Sequence, residues 1–204
     1  MTRVLPRLHV VSDSAVLQLP DLERLAGSIA RDPAVALHVR SGTCGGRRLL
    51  EIANLLRTAA QPRLASVFMN DRVDIALAAG VDGVHLPSAG LPTGAVRKLV
   101  GSDMWIGRSS HSAAEAIALC EEGADYAFLG PIWPTTSHPG ASGIGIGTIA
   151  EANAVPIIAI GGITPERIPA VMDAGAYGVA AISAIWQSRD PGATVERMLL
   201  SFEL

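Results

Sequence analysis

The chain has 204 residues, with 19 acidic and 16 basic side chains for a formal charge of −3. That is enough to bury a sizeable core in one domain, spanning 1–204, yet short of the roughly 250 residues typical of an eight-unit barrel. The charges are scattered, which argues against a nucleic-acid stripe or a cationic membrane-surface helix, and no apolar run nears the roughly 20 residues that cross a bilayer.

In chain order, short apolar runs alternate with longer amphipathic ones. Strands are expected at 8–11, 35–39, 64–68, 83–86, 104–106, 126–129, 156–160 and 178–181. The helices that follow them are expected at 20–31, 46–60, 71–79, 92–100, 112–122, 145–153, 164–174 and 190–202. Eight such units favour the fold class α/β, a (βα)8 TIM barrel in a single domain, over an open doubly wound sheet. Phrases such as Ala79-Gly80-Val81-Asp82 and Glu122-Gly123-Ala124-Asp125 end helices with glycine and turn into the next strand, a stability feature at the barrel's bottom. The first apolar run turns polar at Ser12-Asp13, before a signal-peptide core could form, so a cytoplasmic protein is expected. Cys44 and Cys120 lack metal-ligand spacing and secretory context, which argues against a disulfide.

The expected top face carries the polar residues. Ser112 reads as an N-cap and Glu115 completes a capping box, so His111 is the last residue before a helix at the face where barrels do chemistry. A solvated loop histidine carries equal weight at this point. His38 and Arg40 share strand parity; if they face inward, Arg40 can bind a carboxylate in bidentate fashion. The long Gly/Pro-rich loop 130–145, with Trp133, His138 and Gly143, reads as a lid or binding loop, with disorder as the alternative. Strand seven ends in Gly161-Gly162 and strand eight in Ala181-Ile182-Ser183, the two places where barrels often close backbone N–H groups on a phosphate. His9 and His85, set within apolar strands, read as core histidines.

These phrases together, with Met69-Asn70-Asp71-Arg72, Asp82-Gly83-Val84-His85-Leu86, Gly130-Pro131-Ile132 and the run from Pro156 to Ile163, resemble the thiamine phosphate synthase superfamily over nearly the whole chain. The resemblance implies a (βα)8 barrel and one of two activities. One branch, the synthase, joins a pyrimidine diphosphate to a thiazole phosphate using magnesium; the other, the thiazole tautomerase, isomerises a carboxythiazole phosphate. Asp71 matches the first metal aspartate of the synthase pattern, although its position alone reads more readily as a helix N-cap. The second aspartate falls at Gly90, one lysine falls at Gly42, and another is replaced by His138. With three charged elements of diphosphate chemistry missing, and with Leu86-Pro87-Ser88 and Arg108-Ser109 resembling the other branch, the expectation is an isomerase, a thiazole tautomerase using no cofactor and no metal; the alternatives are a transferase of the synthase type with altered charge partners and a non-catalytic regulatory protein that binds a thiazole phosphate. His111 would be its catalytic proton shuttle, imidazole being the side chain that titrates near neutrality. The resemblance implies substrate contacts from His38, Arg40, Asn70, Arg108 and Ser109, and from Gly143, Gly161, Gly162, Ile182 and Ser183. The expected partner is a small-molecule thiazole phosphate, with neither nucleic acid nor membrane, and homo-oligomer formation is left open.

Overall fold

Runs of Val, Ile, Leu and Ala with no polar alternation suit parallel strands buried on both faces, and that is how they are used. The computed structural model describes residues 4–135 and 142–202. Eight strands pair in chain order, every pair parallel, and the ring closes where Leu8 of the first meets Val179 of the last. The strands are β1 (Leu8–Val11), β2 (Val35–Val39), β3 (Ser66–Asn70), β4 (Gly83–Leu86), β5 (Trp105–Ser110), β6 (Tyr126–Leu129), β7 (Ile157–Ile160) and β8 (Gly178–Ala181). Around them run α1 (Leu22–Ile29), α2 (Gly46–Ala60), α3 (Val73–Ala79), α4 (Thr93–Val100), α5 (Ala113–Glu121), α6 (Gly147–Glu151), α7 (Ile168–Asp173), α8 (Ser183–Trp186) and α9 (Pro191–Leu200). Among the described residues no helix is long and apolar enough to cross a membrane.

Of the differences from expectation, three bear on the site and its approach. β3 starts at Ser66 because Leu64 takes a left-handed conformation (φ 58°) after a 3-10 turn and lies exposed. β5 extends to Ser110 because Gly107 to Ser110 pair with Tyr126 to Leu129 of β6, which makes Arg108 and Ser109 strand residues. The four-residue α8 fills the segment after β8, the place where barrels use a short extra helix.

At the bottom, the repeated Gly-x-Asp phrases tie strand to strand. Asp82 Oδ2 accepts the N–H of Val67 at 2.8 Å and Asp125 Oδ2 that of Ile106 at 2.6 Å. Tyr177 stands where a third aspartate would, and its hydroxyl donates to the Leu5 carbonyl at 2.7 Å. Gly80 ends α3 with φ 61°, donating to the Ala76 and Leu77 carbonyls, the C′ role expected of it.

Aliphatic side chains fill most of the space between sheet and helices, but the inside of the ring holds aromatic and imidazole rings. Phe68, Tyr126 and Phe128 pack there with His9, His38 and His85, the His85 and Phe128 centroids only 4.0 Å apart. Glycines on neighbouring strands make the room. A Cβ on Gly83 would lie 2.2 Å from Phe68, and one on Gly107 2.1 Å from Tyr126. Gly107→Val is therefore expected to overpack the barrel and lower stability by about 1–3 kcal/mol or more, read as an earlier urea midpoint. An unchanged midpoint would mean that Tyr126 does not pack against Gly107.

Candidate active site

The C-terminal ends of the strands surround a cavity of about 610 Å³, within the range of small-molecule sites. Every strand contributes. β1 is followed by Asp13 and Ser14, β2 by Arg40, and β3 ends in Asn70 with Asp71 beyond it. β4 supplies His85, β5 Ser109, Ser110 and the following His111, and β6 Phe128. The loops after β7 and β8 bring Gly161, Gly162, Ile182 and Ser183. The structure thus gathers Arg40, Asn70, Ser109, His111, Gly161, Gly162, Ile182 and Ser183 around one space.

His38, Arg108 and Gly143 are not brought to that space. His38 faces inward as parity suggested, but it is 1% exposed and lies deeper in the barrel than Arg40, against Phe68 at 4.9 Å. Arg108 is buried, with Nη1 donating to the Leu91 carbonyl at 2.7 Å and Nη2 to that of Ser88 at 3.1 Å, so its fork pins the loop after β4. Gly143 is pressed against the start of its own loop, where a Cβ would stand 2.3 Å from the Ile132 carbonyl oxygen. His138 lies outside the described residues.

His111 is set by the helix it precedes. Ser112 Oγ accepts the N–H of Glu115 at 3.2 Å, and Glu115 Oε2 accepts the backbone N–H of His111 at 2.7 Å. Satisfying two otherwise orphaned donors fixes the entry to α5. His111 Nδ1 donates to the Gly130 carbonyl at 2.7 Å, since a carbonyl only accepts. In the neutral ring Nε2 is then left as an acceptor.

His85 is more than core. Its Nε2 lies 2.9 Å from Ser109 Oγ and its Nδ1 3.3 Å from the Tyr126 hydroxyl, and it lines the cavity floor. Burial holds its pKa well below the usual 6.5, with the neighbouring histidines and arginines adding to the effect. Burial likewise keeps the Tyr126 hydroxyl protonated, and the neutral His85 ring donates to one of the two hydroxyls and accepts from the other. Its partner on β5, Gly107, leaves its space to the Tyr126 ring, which brings the Tyr126 hydroxyl within reach of His85.

Asp71 does not play the capping part its position suggested. The N-cap of α3 is Arg72, without a side-chain bond, and the Asp71 carboxylate accepts no hydrogen bond among the described residues. Its backbone is left-handed (φ 65°), held by its N–H donating to the His85 carbonyl at 2.9 Å. A left-handed residue whose carboxylate stands beside Arg72 at the rim of a cavity, without a hydrogen bond among the described residues, is a candidate functional position. The other two positions differ in kind. A Cβ on Gly90 would crowd Pro87 at 3.0 Å, whereas Gly42 has nothing within 4 Å of its missing Cβ, so a lysine is absent there without packing cause.

Gly161 (φ 96°) and Gly162 (φ 68°) are backbone positions that other residues rarely adopt. A Cβ on Gly162 would meet Trp133 at 2.7 Å. Arg167 locks this corner, donating to the Gly162 carbonyl at 2.5 Å and lying 4.6 Å over the Trp133 ring. With the start of α8 beside it, the corner suits a phosphate. Gly162→Asp adds strain, bulk and like charge, and is expected to weaken binding of a phosphate monoester about tenfold to a hundredfold. Calorimetric titration checks this, and unchanged affinity would remove the phosphate corner.

A family model described as thiamine monophosphate synthase matches residues 8–185. A thiamine-phosphate synthase of Mycobacterium sp. (strain JLS) is 40% identical over 182 residues, which is 85% of this chain and 80% of that protein. A putative thiamine-phosphate synthase of Geobacter sulfurreducens is 37% identical, covering 94% of this chain and 92% of its own. Among solved structures, a thiamine phosphate pyrophosphorylase from Pyrococcus furiosus superposes with a TM-score of 0.82 at 28% identity, covering 97% and 95% of the two chains. These relatives overturn the expectation of a thiazole tautomerase and of an isomerase, because those that match at about 40% identity carry the synthase name. Of the residues that resembled the other branch, Arg108 holds backbone carbonyls, whereas Pro87, Ser88 and Ser109 line the cavity.

Proposed function

Because the chain belongs to the thiamine monophosphate synthase family, we propose that it is a transferase of the thiamine-phosphate synthase type, joining a pyrimidine diphosphate to a thiazole phosphate. The observation that carries this reading is the free Asp71 carboxylate, held in a strained backbone at the rim of the same cavity that Gly161, Gly162 and Ser183 line.

The expectation of a metal-free reaction rested on the isomerase and goes with it. Magnesium, which the synthase resemblance implies, takes hard oxygen donors, commonly one or two carboxylates together with substrate phosphates. Asp71 fits as the one carboxylate. No group of three or more His, Cys, Asp or Glu side chains gathers elsewhere among the described residues, and Gly90 leaves the second aspartate out. The site is accordingly one carboxylate plus substrate oxygens, with weaker hold than a two-aspartate site. When bound, the ion offsets the charge of a departing diphosphate.

The chain's own groups do the rest. The backbone at Gly161 and Gly162, with Ser183 at the start of α8, holds the phosphate of the acceptor. Arg40, exposed at the mouth, supplies a permanent positive charge where the diphosphate enters. His111, fixed through Nδ1, offers Nε2 as a hydrogen-bond acceptor, and Ser109, 2.9 Å from His85 Nε2, brings a hydroxyl to the same wall. The protein should be incubated with both substrates at several magnesium concentrations and thiamine phosphate followed by chromatography. We expect turnover of order 1 per second. Saturable binding of the thiazole phosphate with no thiamine phosphate at any magnesium level would overturn the proposal.

A further inference from the structure

A chain of polar contacts runs through the barrel interior from Pro6 to the cavity. His9 Nε2 lies 3.0 Å from the Pro6 carbonyl oxygen, His9 Nδ1 lies 2.8 Å from His38 Nε2, and His38 Nδ1 lies 3.1 Å from the end of the Asn70 amide assigned as Oδ1. His9 and His38 are 0% and 1% exposed and stand among Phe68, Tyr126 and Phe128. No carboxylate contacts either ring among the described residues.

The protons on this chain can be placed by elimination. The Pro6 carbonyl only accepts, so His9 Nε2 carries a hydrogen. A neutral imidazole has one N–H and one bare nitrogen, so His9 Nδ1 accepts and His38 Nε2 must be the donor. His38 Nδ1 is then bare. An amide oxygen set against it would place two lone pairs face to face, whereas the amide NH2 group makes a hydrogen bond. The two ends of an asparagine amide have nearly the same shape, and the network decides between them. The rings stay neutral because an unpaired cation inside an apolar barrel is costly, and burial accordingly pushes His38 down to about 4 and His9 well below 6.5.

We propose that His9 and His38 are positioning residues that hold the Asn70 amide with NH2 toward His38 and its carbonyl oxygen toward the cavity, so that the site meets its ligand there as an acceptor. The ligand class this selects is one that brings an N–H group to that point, such as an amino-substituted heterocycle. The ligand class rests on the proposed function, because Asn70 would contact the pyrimidine substrate. The amide's orientation does not.

Nitrogen-15 NMR of the whole chain labelled at histidine reads the orientation without any substrate. At pH 7.5 both His9 and His38 are expected to show a protonated Nε2 and a bare Nδ1. A protonated Nδ1 on His38 would overturn the proposal, since it would require the Asn70 oxygen to face inward. Asn70→Asp, which only accepts and carries a negative charge, is expected to add a proton at His38 Nδ1 while Nε2 keeps its own for His9, and Asn70→Leu to leave the pattern as it was. A His38 pattern indifferent to Asn70→Asp would also overturn it. The positioning role is then read from kinetics. His38→Phe keeps a ring against Phe68 but frees the amide, and should raise KM for the pyrimidine diphosphate about tenfold with a smaller change in kcat. Unchanged KM would refute positioning. Should the wild-type protein form no thiamine phosphate, the proposed function falls while the nitrogen pattern still decides the orientation.

Discussion

Stability is expected to fall steeply between pH 6.5 and 4.5. His9, His38 and His85 are buried and neutral, and burial depresses all three pKa values, His38 to about 4 and the other two well below 6.5. Unfolded, each takes up its proton near 6.5, so below that pH the unfolded chain binds protons that the folded chain refuses, and the equilibrium shifts toward unfolding. The stability is complete above about pH 6.5 and is lost as pH falls, down to about 4 for His38 and further for its neighbours. Each such histidine contributes a slope of at most about 1.4 kcal/mol per pH unit, so three together approach about 4 kcal/mol per unit. Over two pH units that is up to about 8 kcal/mol, a large share of a typical total of about 5–15 kcal/mol. Urea titrations at pH 7.5, 6.5, 5.5 and 4.5 measure the slope directly, and His9→Phe should reduce it by about a third. A flat profile would show that the three rings are already protonated in the fold or are reached by water.

The eight-unit rhythm was legible because a parallel barrel buries both faces of its strands, leaving uninterrupted Val, Ile, Leu and Ala runs between amphipathic helices. Depth along a strand was not. His38 and Arg40 share a face, but two residues of strand span about 7 Å, which separates a ring among aromatics from a side chain at the mouth. Arg108 misled for a related reason: with Ile106 as the end of β5 it becomes a loop arginine, whereas pairing through Ser110 makes it an inner brace of the β4 loop. The bottom glycines and the capping box at Ser112 depend on residues next to one another, and the chain shows these directly. The backbone of Asp71 does not follow from its neighbours. Its left-handed conformation is imposed by a bond to the His85 carbonyl on the next strand, and no local pattern announces that. Counting absent charges pointed away from the activity that the relatives carry, because the count takes no notice of the backbone that sets the remaining carboxylate at the cavity rim.

Asp71 is the residue on which the proposed reaction depends most. Asp71→Asn is expected to lower the rate of thiamine phosphate formation by about 10²–10³, the scale of losing one preorganised electrostatic group at the reacting centre. The substitution is chosen so that little else changes. Asparagine is isosteric and, like aspartate, tolerates the left-handed backbone found here, and no capping bond is lost because the carboxylate makes none. The thermal midpoint should therefore stay put. Only the negative charge goes, and with it the one carboxylate suited to magnesium. The dependence on the metal separates this from a general disturbance. The variant should need more magnesium for half-maximal rate, and the deficit should narrow as magnesium rises, whereas affinity for the thiazole phosphate, held at Gly161, Gly162 and Ser183, should be unaffected. Wild-type turnover in Asp71→Asn at low magnesium would move the metal away from this residue. The strained backbone at position 71 would then need another explanation.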